Sequence, residues 1–363
     1  MPRKVLLALM LLAVWPATWA VGINVRPNAW RLMHKLDRHL CGTLLDFTHN
    51  HGGDYRIPAP SLCDRRDLYV YLPPCYDPHQ QYPVLLYLHG IAQDEVGFLQ
   101  LVPMIDRAIV RGELPPMIIA APDGTTRGSP SVFNAGSFYI NSKAGRFHDY
   151  IVNDVWNFVC SNFPIRPERE YHVIAGASMG GFGAYNIAIQ HRDQFSLVAG
   201  IFPPLHLRYC DCHGRYFANY DPNCLGTRER LSPFQPIARF YGGVITIRQG
   251  QVTRPLFGIF NPDALQEVAK INPYEMLDTY CVQPGELEMF VGYGKHDQFN
   301  IDAQVEAFAD KARCRGLSIT CVCDPNGRHD TATGERLFPA FCRWLSPLLT
   351  CPPHVAAKPQ ASP

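Results

Sequence analysis

The sequence predicts an α/β architecture, a mostly parallel sheet with helices on both faces, and three observations carry that prediction. Apolar runs of strand length recur along the chain. Helical patterns fall between them, and such alternation feeds parallel strands through helical crossovers. The first two strand-like segments have no helical pattern between them, which predicts an antiparallel N-terminal edge.

The elements follow in order. Ala29 to Leu40 reads as a helix. Thr43 to Phe47 and Asp67 to Leu72 are rich in β-formers, and Pro73 and Pro74 end the second. Val84 to Leu88 and Met117 to Ala121 are short apolar runs of buried-strand type, the latter closed by Pro122-Asp123-Gly124. Tyr171 to Ala175, Ser196 to Ile201, Leu287 to Val291 and Leu317 to Val322 continue the series. Asp149 to Cys160, Gly181 to Gln190 and Asp302 to Cys314 carry helical patterns. Pro203 to Asn261 breaks the alternation, with Cys210, Cys212, Cys224 and several aromatic residues. We read it as an insertion over the ligand-binding edge of the sheet, a candidate cap. One domain is expected over residues 21–350, and the Pro- and Ala-rich tail 351–363 is expected to be disordered.

Composition narrows the class. Of 363 residues, 47% are hydrophobic and 18% charged, and the formal net charge is +1. That excludes wholesale disorder, and the lack of a basic stripe argues against a nucleic-acid partner. Residues 1–20 read as a signal peptide: Arg3 and Lys4, an apolar run from Val5 to Trp15, then Pro16 and small residues at Thr18 and Ala20. The apolar run is too short to span a bilayer, so a secreted or periplasmic protein without stable membrane insertion is expected. The 13 cysteines are heavy use for a chain of this length, and export would let several form disulfides. Their odd number leaves a thiol over, for which Cys160 is the candidate, buried on an amphipathic pattern.

The chemistry centres on Gly176-Ala177-Ser178-Met179-Gly180, a G-x-S-x-G turn between a predicted strand and a predicted helix. In that setting Ser178 is a nucleophile on a strained elbow, and Gly176 and Gly180 are the small residues the turn needs. A serine hydroxyl needs a base, and the base an orienting acid. In the α/β-hydrolase fold the chain order is serine, acid, histidine. Asp297 follows the strand ending at Val291, and His329 follows the strand ending at Val322, both in loops at the serine's edge of the sheet. Met179 N–H and, from the loop Leu88-His89-Gly90-Ile91, Ile91 N–H are the candidate oxyanion donors. His89 is expected to shape that loop, His172 to pack, His191 to sit as a cation at a helix end, and Asp302 to cap the helix that follows it. Cys210-Asp211-Cys212-His213 with Cys224 could hold zinc, but disulfides clamping the insertion are the simpler reading, so no metal and no cofactor are expected.

Beyond this motif, the chain resembles the Putative esterase family of α/β-hydrolases, the esterase D and feruloyl esterase-like group. The residues that carry the resemblance are Val70 to Asp77, Tyr82 to Gly90, Ser137 to Ser142, Asp149 to Val152, Gly176 to Gly181, Gly292 to Asn300 and Gly327 to Asp330. It extends from about residue 41 to 346 and does not include the insertion. The family usually has glycine where Cys75 stands, and Cys75 could be a disulfide partner. The resemblance implies a serine carboxylic-ester hydrolase with Ser178, Asp297 and His329 as its triad, acting on a small-molecule or carbohydrate-linked ester. An acyltransferase of the mycolyltransferase type and a non-catalytic binding protein on the same fold are the alternatives.

Overall fold

The computed structural model describes residues 29–49, 53–128, 136–258 and 263–350. The signal-peptide and tail readings lie outside these residues. Eight strands form the central sheet: β1 Thr43–Phe47, β2 Leu68–Leu72, β3 Val84–Leu88, β4 Ile118–Pro122, β5 His172–Ala177, β6 Leu197–Ile201, β7 Glu288–Gly294 and β8 Ser318–Asp324. Their spatial order is β1-β2-β4-β3-β5-β6-β7-β8. Only β2 runs against both neighbours, and every pairing from β4 through β8 is parallel. The antiparallel edge therefore comes from one reversed strand. The predicted strands are all present, shifted by a few residues at most.

Helices close both faces. They are α1 Ala29–Asp37, α2 Phe98–Val110, α3 (Phe147–Asp149, Tyr150–Val155 and Trp156–Asn162, the middle piece π-wound), α4 Met179–Gln190, α5 Gln249–Phe257, α6 Ala264–Ile271, α7 Pro273–Thr279, α8 Ile301–Cys314 and α9 Thr331–Thr350. One core lies between the sheet and the face carrying α3, α4 and α8. The other lies against α2 and α9. Because both faces are covered, the central strands are continuous apolar runs apart from His172, rather than alternating. No described helix is long and apolar enough to cross a membrane.

Within the stretch Pro203 to Asn261, the described residues 203–258 are more ordered than the sequence shows. They hold two antiparallel hairpins, Tyr209–Asp211 with Leu225–Thr227 and Pro236–Phe240 with Ile245–Arg248, and then α5. Cys212 and Cys224 join in a disulfide that closes the first hairpin, as the simpler reading expected. Several disulfides were expected; among the described cysteines this is the only one. Cys210 is buried and free, and faces Gly226 rather than a cysteine in the hairpin register. Cys160 is free but exposed, not buried. The buried residues of its turn are Val155 and Val159, and the next position swings about 100° toward solvent. Cys75 is unpaired and exposed, with φ of 57°, a left-handed conformation that suits glycine.

Candidate active site

Three strand ends converge on Ser178. β5 ends at Ala177 and α4 begins at Met179, so Ser178 is the turn residue, with φ 54° and ψ −116°. The turn is held by Ser178 N–H donating to the Ile201 carbonyl at 2.7 Å, and the Ser178 carbonyl accepts from Phe182 N–H at 3.0 Å. The two glycines are steric requirements. A Cβ on Gly180 would lie 1.9 Å from the Leu88 carbonyl oxygen, and one on Gly176 would lie 2.4 Å from the Gly180 carbonyl carbon. Helix and strand can approach this closely only without side chains there, and that approach presents the serine above the sheet.

His329 Nε2 lies 2.9 Å from Ser178 Oγ. Its Nδ1 lies 2.7 Å from Asp297 Oδ2. Because an ionised carboxylate only accepts, Nδ1 carries the proton and Nε2 is free to accept from the serine hydroxyl. The second carboxylate oxygen, Asp297 Oδ1, accepts from Phe299 N–H at 2.8 Å. The loops after β7 and β8 are laced together: Lys295 N–H donates to the Asp324 carbonyl and His296 N–H to that of Gly327, each at 2.9 Å. The three residues singled out from sequence are thus brought into one hydrogen-bonded chain.

Their rivals have other employment. Asp330 Oδ1 accepts from Thr333 N–H at 2.9 Å in the first turn of α9. His296 is exposed. Both ring nitrogens of His172 bond backbone carbonyls, of Gln194 and Arg166. His191 is not the expected cation. Burial pushes it below its ordinary value, and its Nε2 lies 2.8 Å from that of His148. Asp302 does not cap its helix either: the cap position is Asn300, and no side chain bonds there. Asp302 is instead buried 3.8 Å from Lys295 Nζ, and burial raises its carboxyl to about 6.

His89 shapes the loop after β3, as expected. Gly124 N–H donates to its Nε2 at 2.8 Å, so Nδ1 carries the proton, 2.8 Å from the Gly90 carbonyl. The Tyr139 hydroxyl donates to the His89 carbonyl at 3.1 Å, which places the Ser137–Tyr139 segment beneath the same loop. Gly90 N–H is taken by Gln93 Oε1 at 3.1 Å. Ile91 and Met179 both line a cavity that reaches Ser178.

Sequence reasoning missed the groups that hold the histidine. Gln298 Oε1 accepts from His329 N–H at 2.9 Å. Phe202 and Phe299 flank the imidazole, with ring centroids 5.0 and 4.8 Å away. Phe299 and Gln298 neighbour Asp297, but nothing in one sequence marks either as a support. Two cavities, of about 560 and about 150 Å³, meet at Ser178 and His329.

A parallel-centred sheet with a strained serine elbow and an acid and a histidine on later strand ends defines an α/β-hydrolase. The chain belongs to the Putative esterase family, whose profile matches residues 59–317, and it is a carboxylic ester hydrolase. Solved structures of the same fold include a ferulic acid esterase, 16% identical with a TM-score of 0.60 over 85% of this chain and 99% of that one. A fluorophosphonate-binding serine hydrolase of Staphylococcus aureus is 17% identical, with a TM-score of 0.56 over 84% and 98% of the two chains. An S-formylglutathione hydrolase from Agrobacterium tumefaciens is 15% identical, with a TM-score of 0.55 over 85% and 96%.

Proposed function

We propose that the protein hydrolyses carboxylic esters through an acyl-enzyme on Ser178. The observation that carries this reading is the continuous relay Ser178 Oγ, His329 Nε2, His329 Nδ1, Asp297 Oδ2, at 2.9 and 2.7 Å. Ser178 Oγ attacks the ester carbonyl carbon while His329 Nε2 takes its proton. Met179 N–H, at the first turn of α4, and Ile91 N–H hold the oxyanion. His329 returns the proton to the leaving alkoxide as the carbon–oxygen bond breaks. Water, deprotonated by the same imidazole, then attacks the acyl carbon, and His329 gives that proton to Ser178 Oγ as the acyl–Oγ bond breaks and the acid leaves. Asp297 keeps the imidazole in the accepting tautomer and stabilises the imidazolium. No metal or cofactor enters this scheme.

The insertion, residues 203–261, acts as a cap within one hydrolase domain over residues 21–350. Phe240, Ile247 and Val252 from it line the larger cavity beside Ser178. Export follows from the reading of residues 1–20 as a signal peptide, and the Cys212–Cys224 disulfide suits an oxidising compartment. Ser178→Ala tests the mechanism. It should lower p-nitrophenyl acetate turnover by several orders of magnitude and abolish fluorophosphonate labelling. Labelling of a different serine would overturn the assignment.

A further inference from the structure

We infer that the acyl half of the substrate is an apolar chain of medium length, seated in the larger cavity between α2 and α9. This rests on Ser178 as the nucleophile and goes further by naming the substrate class.

The larger cavity descends from Ser178 into the layer between the sheet and its two covering helices. Its floor is Tyr87, Ala175 and Ala199, which lie side by side on β3, β5 and β6. Two of these three central positions carry only a methyl group, so the strands leave the layer unfilled. On α2 the wall includes Met104 and Ile105, and on α9 it includes Gly334, Phe338 and Phe341. The α9 residues recur at helical spacing and present one face. A Cβ on Gly334 would meet nothing closer than Ile201 Cγ2 at 3.9 Å, so the helix too stands back from the sheet. Gln100 and Glu335 are exposed and border the space at its solvent side.

The depth sets the length of the guest. The lining runs from Gly97, the residue before α2, to Ile105 on that helix, and from Thr331 to Phe341 on α9. At about 1.5 Å per helical residue that is roughly 12–15 Å. An extended alkyl chain advances about 1.25 Å per carbon, given bonds of about 1.5 Å at near-tetrahedral angles. The cavity therefore accepts roughly ten to twelve carbons by the same arithmetic.

The smaller cavity suits the other half of the ester. At about 150 Å³ it is lined by Arg228, Gln249 and Gln304 as well as apolar groups. Gln304 is 2% exposed. Its Nε2 donates to the Tyr216 hydroxyl and the Phe299 carbonyl, while Oε1 has no partner among the described residues. A buried acceptor without a donor is costly, and a substrate hydroxyl would satisfy it. A hydrogen-bonding alcohol belongs there, which leaves the apolar cleft to the acyl chain.

The test is kcat/KM over p-nitrophenyl esters from acetate to palmitate, for wild type, Met104→Trp and Gly334→Leu. For wild type, kcat/KM should rise by up to about fourfold per methylene as each is buried, then level off near ten to twelve carbons. Both substitutions should lower the decanoate-to-acetate ratio at least tenfold and move the optimum to shorter chains. Melting curves confirm that each variant is folded, and leucine for a helix-interior glycine favours folding, so at least that variant remains informative. A wild type that hydrolyses acetate through Ser178 but slows steadily as the chain lengthens overturns the acyl assignment and leaves the nucleophile standing. An unchanged ratio in both folded variants also overturns it. Protein that hydrolyses no ester and takes no fluorophosphonate overturns the nucleophile itself, and the acyl assignment with it.

Discussion

Replacing Asp297 by asparagine keeps the shape of the site and reverses one proton. Asp297 has a fully buried side chain, with Oδ1 accepting from Phe299 N–H and Oδ2 facing His329 Nδ1. In Asp297→Asn the amide oxygen must keep the Phe299 N–H, since the other orientation sets two donors against each other. The NH₂ group then donates to His329 Nδ1. An imidazole that accepts at Nδ1 carries its proton on Nε2, the atom that has to receive the proton of Ser178. The base is lost although the hydrogen bonds remain. A wrong tautomer in a serine triad costs about 10⁴ in kcat, equivalent to about 5 kcal/mol of barrier. The assay is kcat on p-nitrophenyl acetate together with the melting temperature. We expect kcat to fall by that order with little change in melting. Near-wild-type kcat in Asp297→Asn, or an equal fall in Asp302→Asn, would refute the reasoning.

The other predictions concern stability. Burial raises Asp302 to about 6 from an ordinary 3.8. Between those values the folded state holds a proton that the unfolded chain has lost, so this group's contribution to stability falls as pH rises through that window. Asp302→Asn removes the loss: its advantage over wild type in urea midpoint should grow from pH ~4 to pH ~6 and stay constant above, with kcat retained. Cys75→Gly relieves a left-handed backbone that costs a side-chain-bearing residue about 1 kcal/mol, and should raise the melting temperature by roughly 2 °C. Cys212→Ser opens a disulfide of sequence separation 12, a loop whose closure contributes about 3 kcal/mol on the chain-entropy account. Hydrogen exchange should then accelerate in Tyr209–Asp211 and Leu225–Thr227 and stay slow in β5.

Much of the fold was legible because strands buried on both faces must be apolar along their whole length. The runs Val84 to Leu88 and Ser196 to Ile201 have no competing reading once helices flank them. Less legible were α2 and α9, which carry Pro103, Pro339 and Pro347 inside them. Proline removes a backbone donor and masks a helical pattern, so only packing against the sheet reveals these helices. The insertion's hairpins escaped notice for a related reason. Their strands are three to five residues long, too short for a clear alternation.

By itself the sequence singled out Ser178, Asp297 and His329, which the fold joins in one hydrogen-bonded chain, because a strand–turn–helix motif and a chain order are local and sequential facts. It determined the elbow glycines for the same reason, since a backbone approach of this closeness admits no other residue. Tertiary structure alone decided what surrounds them. It placed Gln298 on the histidine's backbone and two phenylalanine rings beside its imidazole. It buried Asp302 beside Lys295 in place of a cap, turned Cys160 to solvent, and left a deep apolar space beneath Ser178. Each of these depends on which faces of distant elements meet, and on how far the covering helices stand from the sheet. Neither quantity is written in the spacing of residues along one chain.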